Sequence, residues 1–394
     1  MKICAIICEY NPFHNGHRYQ FSEIRRLSGC DKILCIMSGN FTQRGEAAVF
    51  DKHTRARHAV LCGADAVIEL PAPFAVSPAE LFARGAVHIL TSIPAVSALA
   101  FGCESGTKES FLTAARAANA EDKQFKAALK ENMKDGTSYI RARNDALLSL
   151  NADVDENLLN SPNNLLGTEY CRALLAEESA IEPLPIPRVG GGYADTALFK
   201  NFSSATALRA VLGEDTRSAK KALGRNLPPP VFESAKNFRS APFKQTAVCA
   251  LLSKPCEEIA LCPDCSEGLE NRLKAMLKST PDYDGALKKI VSKRYTLSRI
   301  KRILAQNLLG IRLRDVRDFA EAPLYYNVLA LKKESSEEIL SELSNGKFPT
   351  IARKSDYSLL KKEALSCFET DLFAVELYNA LSETYTNPYE TLFV

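Results

Sequence analysis

An apolar run followed by a pair of histidines constrains this chain more than any other feature. Residues Ile3–Cys8 read I-C-A-I-I-C, which is typical of a strand buried in a parallel sheet. Asn11-Pro12 then turns the chain, and His14-Asn15-Gly16-His17 precedes an amphipathic helical pattern that reaches Leu27. The histidines therefore lie where a strand ends and a helix begins. At such a junction, free backbone N–H groups and the positive end of the helix dipole bind nucleotide phosphates, and Gly16 allows a close backbone approach.

Strand and helix patterns alternate along the next ninety or so residues. Three more apolar segments are predicted as strands: Lys32–Met37, Ala66–Leu70 and Val96–Phe101. Helical patterns lie between them, at Asp51–Cys62 and after Ser77-Pro78-Ala79-Glu80, which has the form of a capping box. This alternation predicts an α/β fold with an open parallel sheet, in which ligands bind beyond the carboxyl ends of the strands. The polar loops 9–17, 38–46 and 102–106 all fall at such ends.

Composition restricts the possible partners and compartments. The chain has 394 residues, which suggests two or three domains, and 46% of them are apolar. Its net charge is only +3, so any nucleic-acid surface must be a local patch. We expect a cytoplasmic protein, because no signal peptide or membrane-spanning run is visible. The twelve cysteines are expected to be reduced thiols, several of them buried in strands.

The C-terminal part is predicted to be mostly helical. Residues 214–245 are rich in Lys, Arg and Pro and are predicted to be a linker with a short helix. Cys262 and Cys265 do not predict a zinc site, because no second pair of ligands lies at a suitable spacing. The tail from 318 onward is expected to be helical.

A basic stretch at 288–317 is the candidate nucleic-acid surface. It carries ten Lys and Arg residues, opposed only by Asp315, and has a helical apolar face. One interpretation is a helix placed on RNA phosphates, and the other is an ordinary solvated helix face. The candidate RNA contacts are Lys293, Arg294, Arg299 and Arg302. If the stretch is only a solvated face, the RNA site is expected at 215–245.

Several blocks together closely resemble the tRNA(Met) cytidine acetate ligases of bacteria, which contain the H-x-G-H pattern of the adenylylating nucleotidyltransferases. The blocks are E-Y-N-P-F-H-N-G-H at 9–17, M-S-G-N-F-T-Q-R-G-E at 37–46, D-K-H-T-R-A at 51–56, A-D-A-V-I-E-L-P at 64–71, F-G-C-E at 101–104, S-P-N-N-L-L-G at 161–167, F-S-S-A-T at 202–206 and R-Y-T-L-S-R-I at 294–300. The resemblance implies a HIGH-type, Rossmann-like domain at 1–215 that activates acetate with ATP. It also implies a mostly α-helical tRNA-binding domain at 216–394. The expected product is elongator tRNA(Met) acetylated on the exocyclic N4 amine of its wobble cytidine.

The resemblance also implies site residues. His14 and His17 would stabilise charge on the phosphates, Asn40 would donate to the acetyl oxygen, and Arg44 would meet phosphate or tRNA. Contacts with ATP are expected along the first loop and at four later blocks: Ile7, Cys8, Glu9, Tyr10, Asn11, Pro12, Phe13, His14, Asn15, Gly16, His17, Gly102, Asn163, Asn164, Arg188, Ser203, Ser204, Thr206 and Arg209. No carboxylate pair indicates a metal site in the protein, so Mg²⁺ is expected only as a companion of the ATP phosphates.

Some of these candidates have simpler interpretations. Asn163 and Asn164 fall in the first turn of a helix predicted from Ser161-Pro162 to Leu175, where asparagine is a common turn former. Ser203, Ser204 and Thr206 are also compatible with an ordinary helix N-cap. Arg188 lies in a predicted loop, Pro185–Tyr193, beside three glycines, and its guanidinium is suited to bidentate phosphate binding.

Two alternative functions remain at this point. A small-molecule adenylyltransferase of the coenzyme-biosynthesis type shares the H-x-G-H core, but it does not need a basic C-terminal half. A non-catalytic RNA-binding module would have no use for the histidine pair.

Overall fold

The computed structural model describes residues 1–120, 123–134, 137, 139–151, 153–189, 202–238 and 242–394. The strands are β1 (Ile3–Cys8), β2 (Lys32–Ser38), β3 (Ala66–Leu70), β4 (Val96–Cys103), β5 (Glu182–Pro187), β6 (Tyr326–Leu331), β7 (Thr350–Ile351) and β8 (Leu392–Phe393). The helices of the first half are α1 (Asn15–Leu27), α2 (Lys52–Leu61), α3 (Ala72–Ala75), α4 (Ala79–Thr91), α5 (Lys108–Asn119), α6 (Lys123–Asn132), α7 (Tyr139–Leu150), α8 (Glu156–Asn160), α9 (Pro162–Ala176) and α10 (Ala205–Val211). Those of the second half are α11 (Arg217–Asn226), α12 (Pro229–Ala235), α13 (Phe243–Ser253), α14 (Cys256–Ile259), α15 (Leu269–Ser279), α16 (Tyr283–Ile290), α17 (Leu297–Leu309), α18 (Leu313–Phe319), α19 (Ser336–Ser344) and α20 (Lys362–Ser382).

The strands form one open sheet in the order β5-β4-β1-β2-β3-β6-β7, with β8 paired to β6. Every pairing is parallel except that of β3 with β6. Alternate residues of β1 belong to two different cores, Ile3, Ala5 and Ile7 to one and Cys4, Ile6 and Cys8 to the other. Both faces of the sheet are therefore covered, which explains why the strand reads as a continuous apolar run. The predicted α/β class with an open, mainly parallel sheet is confirmed.

The edge strand β5 was not predicted, because its prolines indicate a loop. Pro183, Pro185 and Pro187 occupy alternate positions, while the strand pairs in parallel with β4. Successive backbone N–H groups of a strand point to opposite sides, so prolines at alternate positions can all face away from β4. A strand of this composition is tolerated only at the edge of a sheet. The glycines 190–192 lie outside the described residues.

The second half adds strands to the sheet of the first half. The prediction that the chain is helical from 318 onward was wrong for 326–331, where β6 pairs antiparallel with β3. The same half is otherwise mostly helical, as predicted. The division of the chain at 215 into two domains stays a prediction.

Two local predictions were also wrong. Residues 214–245 are not a linker, because the described part of that segment contains α11, α12 and the start of α13. Ser77 does not cap α4, since its hydroxyl donates to the Pro73 carbonyl at 2.6 Å and the N-cap position is held by Pro78. Among the residues that the structure describes, no helix is long and apolar enough to cross a membrane.

The D-K-H-T-R-A segment fixes the loops at the carboxyl end of the sheet. Arg55 is fully buried, and its guanidinium donates to the carbonyls of Glu9, at 2.7 Å, and of Ser38, at 3.0 Å, as well as to that of Gly39. Lys52 forms a buried ion pair with Glu69 of β3 at 2.6 Å. Charges are buried at such cost only when they are paired or hydrogen-bonded. One buried guanidinium thus holds the ends of β1 and β2 together, below the loops that follow them.

Candidate active site

The loops that follow β1, β2 and β4 meet around two adjoining cavities. The first cavity is lined by His14, Gly16, His17, Tyr19, Gln20, Gly102, Ile186, Pro187, Arg188, Val189, Phe202, Ser203 and Ser204. The second cavity is lined by Ile6, Ile7, Cys8, Glu9, Tyr10, Asn11, His17, Gln20, Gln43, Arg44, Phe82, Phe101, Gly102, Asn163, Leu166, Tyr170, Arg188, Ala205 and Arg209. Residues from seven segments of the chain, including both histidines and three arginines, are thereby brought together. Their roles toward a ligand stay predictions.

The two histidines are part of the start of α1. His14 is the N-cap residue, and its Nδ1 accepts the Gly16 N–H at 3.0 Å. The Nδ1 of His17 accepts the His14 N–H at 3.2 Å, so the pair forms a reciprocal capping box. An Nδ1 that accepts a hydrogen bond carries no proton. A neutral imidazole in this position therefore carries its proton on Nε2 and can donate it.

Both imidazoles are held in the neutral form. Burial lowers the pKa of His14 to about 3, and the positive charges of Arg188 and Arg209 act in the same direction. The pKa of His17 is also well below its ordinary value, first through burial and then through His14 and Arg188. These arginines supply the positive charge of the site. The histidines supply directed N–H groups.

The loop between β1 and α1 combines lining residues with supporting ones. Asn11 faces the second cavity, and its Oδ1 accepts the Val49 N–H at 2.8 Å; the Asn11-Pro12 peptide bond is cis. Phe13 is buried below the histidines, with its ring centroid 5.3 Å from that of His17. Asn15 donates to the carbonyl of Arg225 at 2.8 Å. Pro12, Phe13 and Asn15 line neither cavity, although the sequence placed them among the ATP contacts.

Two guanidinium groups converge on one hydroxyl group. Arg44, from the loop after β2, donates to Thr206 Oγ1 at 3.1 Å, and Arg209 donates to the same oxygen at 3.2 Å. Arg209 also donates to the Asn11 carbonyl at 2.7 Å. Two positive charges held this close favour an anion between or beside them. Ser204 caps α10 through the Ala207 N–H, so the simpler interpretation of that serine holds as well.

Arg188 belongs to both cavities. Its backbone N–H donates to the Cys103 carbonyl at 2.9 Å, which ties the end of β5 to the end of β4. Its side chain lies over Gly102, where a Cβ atom would come within 3.3 Å of Arg188 Cγ. Gly102 therefore leaves the space that the arginine side chain occupies.

The two asparagines of α9 have different surroundings. Asn163 lines the second cavity, whereas Asn164 is fully buried and its Oδ1 accepts the Glu104 N–H at 2.9 Å.

Asn40 belongs to loop 38–46, but its side chain is buried and does not line either cavity. Its Oδ1 accepts the Lys52 N–H at 2.7 Å, and its Nδ2 is a buried donor with no partner in the described structure. The role that the sequence assigns to it stays a prediction.

Sequence reasoning missed part of the lining of the second cavity. Gln20 and Gln43 contribute amides, and an apolar wall is formed by Phe82, Phe101, Leu166 and Tyr170. Gln43 lies in a loop that the sequence had already singled out. The four apolar residues come from helices and from a strand, where their patterns are those of ordinary core positions.

The four candidate RNA contacts differ in exposure. Lys293 is exposed, and Arg294 forms a partly exposed ion pair with Glu267 at 2.8 Å. Arg299 donates to the carbonyl of Asp264 at 2.9 Å and to Ser266 Oγ at 2.7 Å. Arg302 is 7% exposed and makes two hydrogen bonds of 2.8 Å with the Asp264 carboxylate. Arg302 is therefore buried in an ion pair with Asp264, and the other three side chains are the more accessible candidates for RNA contact.

The turn Cys262–Cys265 has a structural role in this arrangement. It presents Asp264, which also accepts from Gln306 of α17 at 2.7 Å. The pKa of each of the two thiols is raised to about 12, mainly by burial. In the described ranges, no group of three or more His, Cys, Asp or Glu residues is arranged to hold a metal ion.

The chain is similar to known proteins in both sequence and structure. A family described as HIGH Nucleotidyl Transferase matches residues 1–391. The chain is 36% identical to the tRNA(Met) cytidine acetate ligase of Clostridium kluyveri, over 97% of this chain and 96% of that protein. It is 34% identical to the protein of the same name from Acetivibrio thermocellus, over 95% of each. Among solved structures, Thermotoga maritima TmcAL without ligand superposes with a TM-score of 0.93 at 29% identity, and the same protein bound with alpha-thio ATP with a TM-score of 0.89 at 28% identity, over all of both chains in each case.

Proposed function

The chain belongs to the HIGH nucleotidyl transferase family and, within it, to the tRNA(Met) cytidine acetate ligases, and we propose that it uses ATP to join acetate to the wobble cytidine of elongator methionine tRNA. The observation that carries this proposal is the second cavity. There, a directed histidine donor, three guanidinium groups and an apolar wall line one space.

In the first step, a carboxylate oxygen of acetate attacks the α-phosphorus of ATP. A bond forms between that oxygen and phosphorus, the bond to the bridging oxygen breaks, and diphosphate leaves with acetyl-adenylate behind. Negative charge moves onto the phosphate oxygens during this step. The Nε2–H groups of His14 and His17 are fixed in advance by their Nδ1 hydrogen bonds, so they stabilise that charge without reorganising.

The arginines bind the ground-state charge of the nucleotide. Arg188 adjoins both cavities, and Arg44 and Arg209, which line the second cavity, share Thr206. The apolar wall accommodates the methyl group of acetate. Mg²⁺ accompanies ATP as part of the substrate, because the lining contributes a single carboxylate, that of Glu9, and it already accepts the Gln43 N–H at 2.6 Å.

In the second step, the exocyclic N4 amine of the cytidine attacks the acetyl carbon. The new C–N bond replaces the bond to the adenylate oxygen, AMP leaves, and the amine gives up one proton. A third, larger cavity shares Gln43, Arg44 and Leu166 with the second one and extends to Arg294 and Arg299. The RNA approaches from this side, with Lys293, Arg294 and Arg299 near its phosphates.

Acetate-dependent exchange of labelled diphosphate into ATP tests the first step, and N4-acetylation of tRNA transcripts tests the second. We expect exchange that needs acetate but not RNA. Exchange that does not depend on acetate and instead needs a phosphorylated coenzyme precursor would favour the small-molecule adenylyltransferase, which shares the histidine pair.

A further inference from the structure

The loop 38–46 is embedded in the second half of the chain. Phe41 is 1% exposed, and its ring lies 5.9 Å from that of Phe243 in α13 and 6.4 Å from that of Tyr378 in α20. The Tyr378 hydroxyl donates to the Ala48 carbonyl at 3.0 Å, just beyond the loop. A loop that supplies Gln43 and Arg44 to the second cavity is therefore packed from outside by C-terminal helices.

The contact with α17 is made through the backbone. Gly45 has a φ of +72°, and a Cβ atom there would lie 2.3 Å from the carbonyl carbon of Lys301 and from the N atom of Arg302. Only glycine allows this approach, both for its φ and for its missing side chain. The helix cannot retreat easily, because Arg302 and Gln306 fasten it to Asp264 and Gln306 also donates to the Val76 carbonyl at 2.7 Å.

An ion pair closes the same contact. Lys301 Nζ lies 2.5 Å from Glu46 Oε1, and the two side chains are 21% and 32% exposed. Lys301 belongs to the basic stretch that the sequence assigns to RNA, yet its ammonium group is directed at the loop. Glu46 and Gly45 adjoin Arg44, whose guanidinium contacts Thr206, and Gln43, whose N–H is accepted by Glu9.

We infer that Lys301 is a positioning residue for the ATP step: through Glu46 it holds loop 38–46 on α17, so that Gln43 and Arg44 keep their places at the second cavity. The inference rests on the proposed function, because it takes that cavity as the site of the nucleotide. Lys301 acts in the absence of RNA, although it lies in the half of the chain that we assign to RNA binding. Exposed ion pairs contribute little, but this one is partly buried and supports a loop that bears site residues.

Charge reversal at Lys301 in the full chain tests the inference. Lys301→Glu places two carboxylates face to face and should weaken ATP binding, measured by titration calorimetry, roughly 5- to 30-fold. The KM for ATP in acetate-dependent exchange should rise in parallel, with a smaller change in kcat. The double variant Lys301→Glu with Glu46→Lys should restore most of the ATP affinity. ATP affinity that is unchanged by Lys301→Glu, or that the exchanged pair does not restore, would overturn the inference.

Lys32→Glu is the matched control. Lys32 has a similar exposure of 20% and pairs with Glu338 at 2.9 Å, but it lies at the amino end of β2, opposite the site. We expect this variant to bind ATP as the wild type does. If the wild type shows no acetate-dependent exchange, the proposed function fails, whereas the comparison of ATP affinities still decides the role of Lys301.

A pair of glycine variants examines the backbone contact independently. Gly45→Ala should lower ATP affinity, because the new methyl group forces the loop away from α17. Gly310, at the end of α17, has a nearly equal φ of +70° but no atom within 4 Å of its missing Cβ. Gly310→Ala should therefore carry the same backbone strain and leave ATP affinity unchanged. Equal losses in both variants would assign the effect to general destabilisation and contradict the inference.

Discussion

The imidazole rings of His14 and His17 are stacked, with their centroids 3.8 Å apart and their planes inclined by 20°. Two protonated rings would repel each other at this distance, so the stacking requires that at least one ring is neutral. Burial and the nearby arginines keep both neutral. The pair therefore acts through hydrogen-bond donation, and its effect should not depend on a positive charge on either ring.

Loss of either histidine donor should slow acetyl-adenylate formation. We expect acetate-dependent exchange to fall by roughly 10²–10³ in His14→Ala and in His17→Ala, the cost of one preorganised donor. His88→Ala is the control, because His88 lies on α4 and its ring contacts the Ala322 carbonyl instead of the cavities. Exchange near the wild-type rate in both variants would remove the adenylylation mechanism.

The lowered pKa of His14 makes folding stability depend on pH. In the unfolded chain the imidazole takes up a proton near its ordinary pKa of 6.5, whereas in the folded chain its pKa is about 3. Stability should therefore fall as the pH decreases between these values, and His14 alone should account for about 2 kcal/mol between pH 7 and pH 5. His14→Asn keeps a capping acceptor but does not titrate. Chemical denaturation at both pH values should show a loss smaller by that amount in the variant, and an equal loss in both proteins would contradict the prediction.

Arg209 should contribute to the binding of ATP and not to the binding of tRNA. Its guanidinium bridges Asn11 and Thr206 at the cavity, so Arg209→Ala should raise the KM for ATP by roughly 10- to 100-fold. Arg209→Lys should restore little, since an ammonium group cannot span both partners and a phosphate. Binding of tRNA, followed by filter retention, should be unchanged. Arg116→Ala, on the exposed side of α5, is the control for removal of an arginine.

The affinity for tRNA should depend steeply on salt, through the exposed part of the basic stretch. Replacing Lys293, Arg294 and Arg299 by Glu should reduce the slope of log affinity against log salt by roughly two to three units, at about 0.7–0.9 per phosphate contact. Acetylation of tRNA should be lost while acetate-dependent exchange survives. The control is a triple Glu variant of the exposed Lys123, Lys126 and Lys130 on α6, which has the same change in net charge. If the two triple variants have equal slopes, the basic stretch is a solvated face and the RNA site must be sought at 215–245.

Arg302 should behave as a structural residue. Its removal leaves the Asp264 carboxylate, with a side chain only 4% exposed, without its cation. Arg302→Ala should lower the free energy of unfolding by about 3–5 kcal/mol, the usual cost of breaking a buried pair. Arg294→Ala should change it far less, because that ion pair lies near the surface. Denaturant unfolding of both variants measures the two free energies of unfolding. Similar losses in the two variants would contradict the argument that the Arg302 ion pair is the buried one.

The strands of the parallel core could be predicted from the sequence, because a strand that is buried on both faces reads as an uninterrupted apolar run. All six residues of β1 are buried, and all six are apolar. The strand β5 has no such apolar run, since three of its six residues are prolines, which a strand tolerates only at the edge of a sheet. The strand β6 reads Y-N-V-L-A-L, which is compatible with a strand but lies among helical patterns. Its partner β3 is remote in the chain, and pairing of that kind cannot be read from local pattern.

The blocks that line the two cavities could be singled out in the sequence, but the surroundings of each side chain within a block could not. Asn163 and Asn164 are neighbours, yet one faces the cavity and the other holds the loop after β4. Arg302 looks like any other basic residue of its stretch until Asp264 is seen beside it. Distance along the chain was a poor guide to contact too, because α17 belongs to the second half of the chain and yet touches loop 38–46 directly.

The antiparallel pairing of β3 with β6 affects how the chain can fold while it is being translated. Ala66 pairs with Leu331, so one strand leaves the ribosome long before its partner is made. At about 5–20 residues per second, the interval lasts roughly ten to fifty seconds. During that time the outer edge of β3 presents unpaired N–H and C=O groups, which are a template for association with another nascent chain. Until β6 is synthesised, this edge of β3 is therefore open to edge-to-edge association, for a time set by the number of residues between the two strands.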